Sequence, residues 1–345
     1  MPASPLRVAV VGLGFMGRTH ISAWYNVTGA ELVAVVSANP LKLAGDLSET
    51  GGNLQSADSQ FNFTSLKRYT QLAEALADPE IDAIDLCLPT HLHAEAGLAS
   101  LRAGKHVLVE KPLARTSAEA YSLVDEAQAS RRTLMAGHVL RFFPEWQELS
   151  RVLASSKTKL GSFRRNCASP SWSPWLADSL KSGGAPLDLL IHDADFVLKC
   201  FGEPQTIAAQ GFCDPALGID WISAHSSFLN SGPVEITGGW HPAPNYPFSM
   251  EFNFITESGT LDWSSAGSSP GRPLTLFHKN ELPSPIPLPA APDPWVAQLQ
   301  YFADCARAGQ EPTLCLPAES AKAVRFVEIM IESRKRNGEP LAWTT

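Results

Sequence analysis

Residues 7–17 read Arg-Val-Ala-Val-Val-Gly-Leu-Gly-Phe-Met-Gly, and this stretch decides the fold. Its first five residues form a short apolar run, the pattern of a strand buried on both faces of a parallel sheet. Gly12, Gly14 and Gly17 follow in GxGxxG spacing, and 18–27 then reads as a helix. Each glycine has its own reason at such a turn. Gly12 allows the tight reversal, Gly14 lets a pyrophosphate approach the backbone, and Gly17 lets helix and strand pack closely. The spacing alone is weak, but between a strand and a helix it is a dinucleotide fingerprint, with Phe15 and Met16 in the same cradle.

Working outward, the next strand falls at 31–36, a helix at 66–77, a strand at 81–88 and a helix at 94–103. A strand at 106–110, a helix at 117–130 and a strand at 133–137 complete the series. This α/β alternation predicts a doubly wound parallel sheet, a Rossmann domain over 1–137. From 138 to 345 the strands lengthen and alternate, at 205–213, 222–229, 234–240 and 248–256. They predict a C-terminal α/β domain with a large open, mostly antiparallel sheet. Residues 51–60 read as a polar surface loop and 281–294 as a Pro-rich extended connector. Helices at 295–308 and 318–336 close the chain, the last able to pack back on the first domain.

Two domains suit 345 residues, and 44% apolar with 18% charged residues suits filled cores. A net charge of -8, with no basic block longer than Arg334-Lys335-Arg336, argues against nucleic acid or anionic membrane as a partner. No apolar run reaches the roughly 18 residues of a membrane helix, and 1–6 does not read as a signal peptide. Cytoplasmic placement is expected. The six cysteines form no CxxC pair and read as reduced, buried thiols.

Three further stretches carry chemistry. In 183–195, Gly-Gly-Ala-Pro-Leu-Asp-Leu-Leu-Ile-His-Asp-Ala-Asp, Asp188 and His192 stand four apart, which on a helix stacks them on one face. A carboxylate there orients the imidazole and raises its basicity as a general base. Glu110-Lys111-Pro112 ends a parallel strand at the edge where ligands bind, and the lysine can hydrogen-bond a reacting hydroxyl. A cis bond at the proline would aim it. Ser37 occupies the position, 20 past Gly17, where an Asp or Glu would hold the ribose of NAD. Serine can donate to a 2′-phosphate and Lys42 can add charge, so NADP is expected ahead of NAD, with Asn39 in the same turn.

These motifs, with Pro89-Thr90-His91-Leu92-His93, resemble the Gfo/Idh/MocA oxidoreductases, the family of glucose–fructose oxidoreductase and inositol dehydrogenase, over nearly the whole chain. The resemblance implies a Rossmann domain followed by an α/β domain whose open sheet forms a dimer or tetramer interface. It implies a catalytic Lys111, Asp188 and His192, with Pro89, Thr90 and His93 beside the nicotinamide. Ser37 and Lys42 resemble the NADP turn of glucose–fructose oxidoreductase. Ala185 and Leu190 depart from glycines common in the family, and Trp175-Leu176 stands where many relatives carry Trp-Arg.

The expected activity is hydride transfer between a nicotinamide and a carbinol carbon of a sugar, inositol or related polyol. Arg141, Trp172 and Trp175 are candidate substrate contacts, and Trp240 a further stacking surface. Asp193 and Asp195 read as polar-network groups. No metal is expected at His91 and His93, which lack an accompanying cysteine or acidic cluster. The alternatives are a redox-neutral, NAD-dependent glycosidase-like enzyme and a non-catalytic nucleotide-binding regulator.

Overall fold

The computed structural model describes residues 4–48, 59–266 and 271–344; most of the 51–60 stretch thus lies outside the described residues. The chain divides into two compact units. One comprises residues up to Val139 with Pro292–Ala321, the other Leu140–Ala291 with Lys322 onward.

In the first unit the order is β1 (Leu6–Val11), α1 (Phe15–Trp24), β2 (Ala30–Val36), α2 (Pro40–Leu43), β3 (Lys67–Tyr69) and α3 (Leu72–Ala77). Then come β4 (Ala83–Leu86), α4 (His93–Arg102), β5 (His106–Glu110), α5 (Ser117–Ser130) and β6 (Leu134–Gly137). All six strands run parallel in the order β3-β2-β1-β4-β5-β6. The order reverses between β1 and β4, and such a switch point opens a ligand crevice at the carboxyl ends of the strands. Val8, Val10, Ile84, Val107, Leu108 and Val109 are fully buried, as the all-apolar strand runs require.

The helix expected at 66–77 is instead an edge strand followed by a helix. Lys67–Tyr69 pairs with Ala34–Val36, and α3 starts only where Glu74 accepts the Thr70 and Gln71 N–H groups in a capping box. Tertiary pairing overrides the helical periodicity there.

The second unit opens with α6 (Pro144–Ser155), β7 (Thr158–Ala168), α7 (Pro174–Ala177), α8 (Ser179–Ser182), α9 (Gly184–Asp188) and α10 (Ile191–Phe201). It continues through β8 (Thr206–Asp214), β9 (Ile219–Ser227), β10 (Val234–His241), β11 (Ser249–Thr256), β12 (Gly259–Ser264), β13 (Arg272–His278) and β14 (Ser284–Pro285). Helices α11 (Pro294–Ala308) and α12 (Pro317–Lys335) precede β15 (Leu341–Ala342). The nine-stranded sheet has the order β14-β13-β12-β11-β7-β10-β9-β8-β15; β7 and β10 run parallel and the other pairs antiparallel.

One face of this sheet is closed by an aromatic core. Phe163 meets Phe196 of α10 edge-on at 6.0 Å, and Trp146 of α6 meets Phe252 at 5.4 Å and Trp263 at 4.8 Å. Across the other face the register lines up Leu160, Ile255 and Thr260 with Phe277, and the three apolar members are exposed. Trp240 is buried in β10, so the expectation that it forms a stacking surface is not met. No helix among the described residues is long and apolar enough to cross a membrane. All six cysteines are free thiols, but Cys213 is exposed on β8 rather than buried as expected.

Candidate functional site

The three glycines of the first turn show three different surroundings. Gly12 has a φ of 94° and abuts the residue that follows β4, where an added Cβ would stand 2.4 Å from the Cys87 carbonyl oxygen. Gly17 packs so closely that a Cβ would lie 1.9 Å from the Gly12 carbonyl oxygen. At Gly14, the N-cap of α1, a Cβ would meet nothing within 4 Å. No side chain caps α1 and no acidic residue stands in its first turn, so its N–H groups and positive dipole end face an open cradle. That cradle, bordered by half-buried Phe15 and Met16, fits a dinucleotide pyrophosphate.

Beside it, at the end of β2, Ser37 is half-buried and its Oγ accepts the Asn39 N–H at 3.2 Å. Asn39 spends its Oδ1 on capping α2, accepting from Leu41 at 2.9 Å and Lys42 at 3.4 Å. Only its amide nitrogen is left for a ligand. Lys42 is half-buried in α2.

Past β4, Pro89 and buried Thr90 lead into α4. The His93 ring is buried, with Nδ1 2.7 Å from the Pro112 carbonyl oxygen and Nε2 2.7 Å from that of Leu88. Burial pulls its pKa below the ordinary histidine value, against the two carbonyls, which favour the charged form. His93 thus lies between the loop after β4 and the turn after β5, its single N–H donated to one of the two carbonyls. His91, by contrast, is exposed.

The Lys111–Pro112 peptide is cis, and half-buried Lys111 leaves the carboxyl end of β5, two strands from the glycine turn. Glu110 is buried, and its Oε2 accepts the Lys111 N–H at 3.1 Å. A cavity of about 540 Å³ opens at the opposite edge of the sheet, between Arg7, Tyr25, Glu31 and Lys67, and shares none of these groups.

In the second unit Asp188 and His192 do not share one helix. Asp188 ends α9 and His192 lies in the first turn of α10. Between them the backbone widens: the Leu190 N–H reaches the Ala185 carbonyl, five residues back, at 3.3 Å as well as that of Pro186 at 3.2 Å. Leu189 and Leu190 keep right-handed helical angles, and the Asp188 and His192 side chains are both half-buried.

The segment is anchored from below. Gly183 and Gly184 have φ of 86° and 74°, and the Ala185 N–H donates to Asp220 Oδ2 at 2.8 Å. Asp220 Oδ1 in turn accepts from Arg334 at 2.6 Å. Ala185 itself lies inside α9 without a positive φ, so its methyl group is accommodated there.

Arg141, expected as a substrate contact, has its guanidinium committed elsewhere. It is buried and forked onto Asp195, as Arg165 of β7 is forked onto Asp193 at 3.0 and 2.7 Å. Sequence reading placed Asp193 and Asp195 in a polar network but missed both arginine partners. Charged Arg165 concealed the strand β7 as well, because an arginine reads as surface until its buried carboxylate is known. Trp172 is exposed and Trp175 half-buried, on the segment leading to α9.

A parallel sheet with an open glycine cradle at its switch point defines a dinucleotide-binding fold. Residues 6–138 match the family described as "Oxidoreductase family, NAD-binding Rossmann fold". The chain is 30% identical to a 4-carboxy-2-hydroxymuconate-6-semialdehyde dehydrogenase of Sphingobium sp., over 74% of this chain and 78% of that one. It is 28% identical to D-glucoside 3-dehydrogenase of Escherichia coli, over 77% and 69% respectively. Its fold matches aldose-aldose oxidoreductase of Caulobacter crescentus, solved with glycerol, at a TM-score of 0.83 and 20% identity, over 98% of this chain and 100% of that one. The chain belongs to the Gfo/Idh/MocA oxidoreductase family.

Proposed function

We propose that this enzyme moves a hydride between a nicotinamide and the carbinol carbon of a sugar, an inositol or a related polyol. The observation that carries the reading is the placement of Lys111 at the carboxyl end of β5, on the sheet edge that also holds the open cradle at Gly14. When bound, the nicotinamide supplies the hydride acceptor or donor at C4. Lys111 binds the reacting hydroxyl and favours its deprotonation. His192 takes the hydroxyl proton in oxidation and returns it in reduction, with Asp188 orienting the ring. Trp172 and Trp175 offer faces on which a sugar ring can stack. The similarity to D-glucoside 3-dehydrogenase supports a carbohydrate substrate.

NADP is the preferred cofactor in this reading, with NAD as second choice. Its support is the absence of a carboxylate at Ser37 and the half-buried Lys42 nearby. The exposed row Leu160, Ile255 and Phe277 supports a homodimer or homotetramer built on the open sheet face.

A panel of polyols, aldoses and semialdehydes with each nicotinamide, read at the reduced-nicotinamide absorbance, tests the reaction. Lys111→Met and His192→Asn should each lower kcat about a thousandfold. NADPH affinity, read by energy transfer from tryptophan, should stay within about threefold. Near-normal turnover in either variant would remove that residue from the chemistry. A tightly held cofactor that is never consumed would overturn the dehydrogenase reading.

A further inference from the structure

His20 is a buried titratable group of the first unit that the proposed chemistry leaves without a task. It projects from α1, the helix whose first turn forms the cradle, and is fully buried. Its Nδ1 lies 2.9 and 3.0 Å from the two carboxylate oxygens of Asp85 on β4. Its Nε2 lies 3.0 Å from Oε1 of Glu110 on β5, an ion-pair contact whose angle falls outside hydrogen-bond geometry. Trp24 Nε1–H donates to Asp85 Oδ2 at 2.8 Å, and the Cys87 Sγ is 3.4 Å from His20 Nδ1. On β6, Gly137 leaves the room that Glu110 needs: a Cβ there would stand 2.8 Å from Oε1.

Two carboxylates thus face one imidazole, one hydrogen-bonded and one at ion-pair distance. A neutral ring would leave two buried carboxylates without a cation, so the arrangement calls for the charged ring. Burial opposes that charge, but Asp85 and its hydrogen bond outweigh burial and hold His20 well above the ordinary histidine range. Burial likewise pushes the Glu110 carboxyl up, yet contact with His20 leaves it below its usual value. Cys87 is pushed up to about 12 by burial and stays a thiol.

The second oxygen of Glu110 is the one that accepts the Lys111 N–H. We propose that His20 is a positioning residue for Lys111: held by Asp85, it fixes the Glu110 carboxylate, which fixes the backbone from which the Lys111 amine departs. His93, on the Pro112 carbonyl, holds the same turn from its other end. The inference rests on Lys111 being the group that binds the reacting hydroxyl.

The test compares His20→Gln, Lys111→Met and the double variant for kcat, KM, NADPH affinity and melting temperature, with the substrate found in the panel. His20→Gln should lower kcat about tenfold, with nicotinamide KM and NADPH affinity within about twofold. In the Lys111→Met background the same change should cost less than about twofold, because its route to the chemistry is already gone. Additive losses in kcat, or an unaltered kcat in the single variant, overturn the proposal. Should His20→Gln not fold, Glu110→Gln enters the same cycle with the same expectations.

A second measurement needs no turnover. In histidine-labelled protein, nitrogen NMR should show both His20 ring nitrogens protonated at neutral pH. A singly protonated ring overturns the proposal. So does a stoichiometric metal in the purified protein, since His20, Asp85 and Cys87 bring ligating atoms within 4.8 Å of one another. Near-normal rates in Lys111→Met, with a doubly protonated His20, would instead locate the failure in the role given to Lys111, and the proposal would fall with it.

Discussion

Arg141 and Asp195 meet fork to fork inside the second unit, Nε to Oδ2 at 2.8 Å and Nη2 to Oδ1 at 2.7 Å, with both side chains 2% exposed. Asp195 lies one helical turn beyond His192, so the clamp fixes the helix that carries the proposed base. Breaking a buried pair by removing one partner leaves an uncompensated charge. Asp195→Ala should therefore destabilise the protein by about 3–5 kcal/mol, read by urea denaturation. An arginine that served substrate would show the opposite pattern, with stability kept and KM raised.

Gly14 and Gly17 should separate binding from folding. Gly14→Ala puts a methyl group into open space, so its melting temperature should hold while NADPH affinity falls about tenfold or more. Gly17→Ala drives a Cβ into the Gly12 carbonyl and should cost about 1–3 kcal/mol or prevent folding. Paired thermal melts and nucleotide titrations check both. Equal losses of affinity and stability in the two variants would refute the division of roles.

Ser37→Asp introduces the carboxylate that the end of β2 lacks. Repulsion of a 2′-phosphate should weaken NADPH about tenfold, while NADH affinity stays or improves. Titrating both nucleotides against wild type and variant reads this directly. Equal effects on the two would detach Ser37 from cofactor choice.

The His20–Glu110 pair should shape stability against pH from both sides. His20 has a folded pKa above its unfolded value, so its contribution is complete below about pH 6.5 and is lost as pH rises toward the folded value. Glu110 has a depressed folded pKa, so its contribution is complete above about pH 4.5 and is lost as pH falls through the folded value. Urea midpoints of wild type should decline on both flanks, by at most about 1.4 kcal/mol per pH unit from each group. His20→Gln should flatten the alkaline flank, and an unchanged alkaline slope would count against a charged His20.

The Rossmann half was legible because its signals are local. A buried parallel strand is apolar throughout, and the reasons for the glycines at 12, 14 and 17 lie within one turn. The second sheet was half legible. Strands β8 to β11 alternate and could be read, whereas β7 contains Arg164, Arg165 and Gly161, and its burial depends on Asp193, 28 residues away from Arg165. The same distance effect hid the partner of Arg141, 54 residues away. His20 gave no signal for its relay either, because a lone histidine in a helix acquires meaning only when β4 and β5 bring Asp85 and Glu110 beside it. The break between Asp188 and His192 depends on one wide backbone turn that side-chain spacing does not register.

The first unit is completed by α11, which arrives late in the chain. Trp24 lies edge-on to Phe302 at 6.5 Å, and Gln300 Oε1 accepts the Thr28 N–H at 2.8 Å. On the ribosome, α1 must therefore wait for more than 270 further residues before its outer flank finds its cover. In the interval the nascent Rossmann sheet carries an indole without its lasting neighbour, so chaperone engagement and aggregation risk should centre on that flank. Cutting the gene after residue 139 would make that temporary exposure permanent.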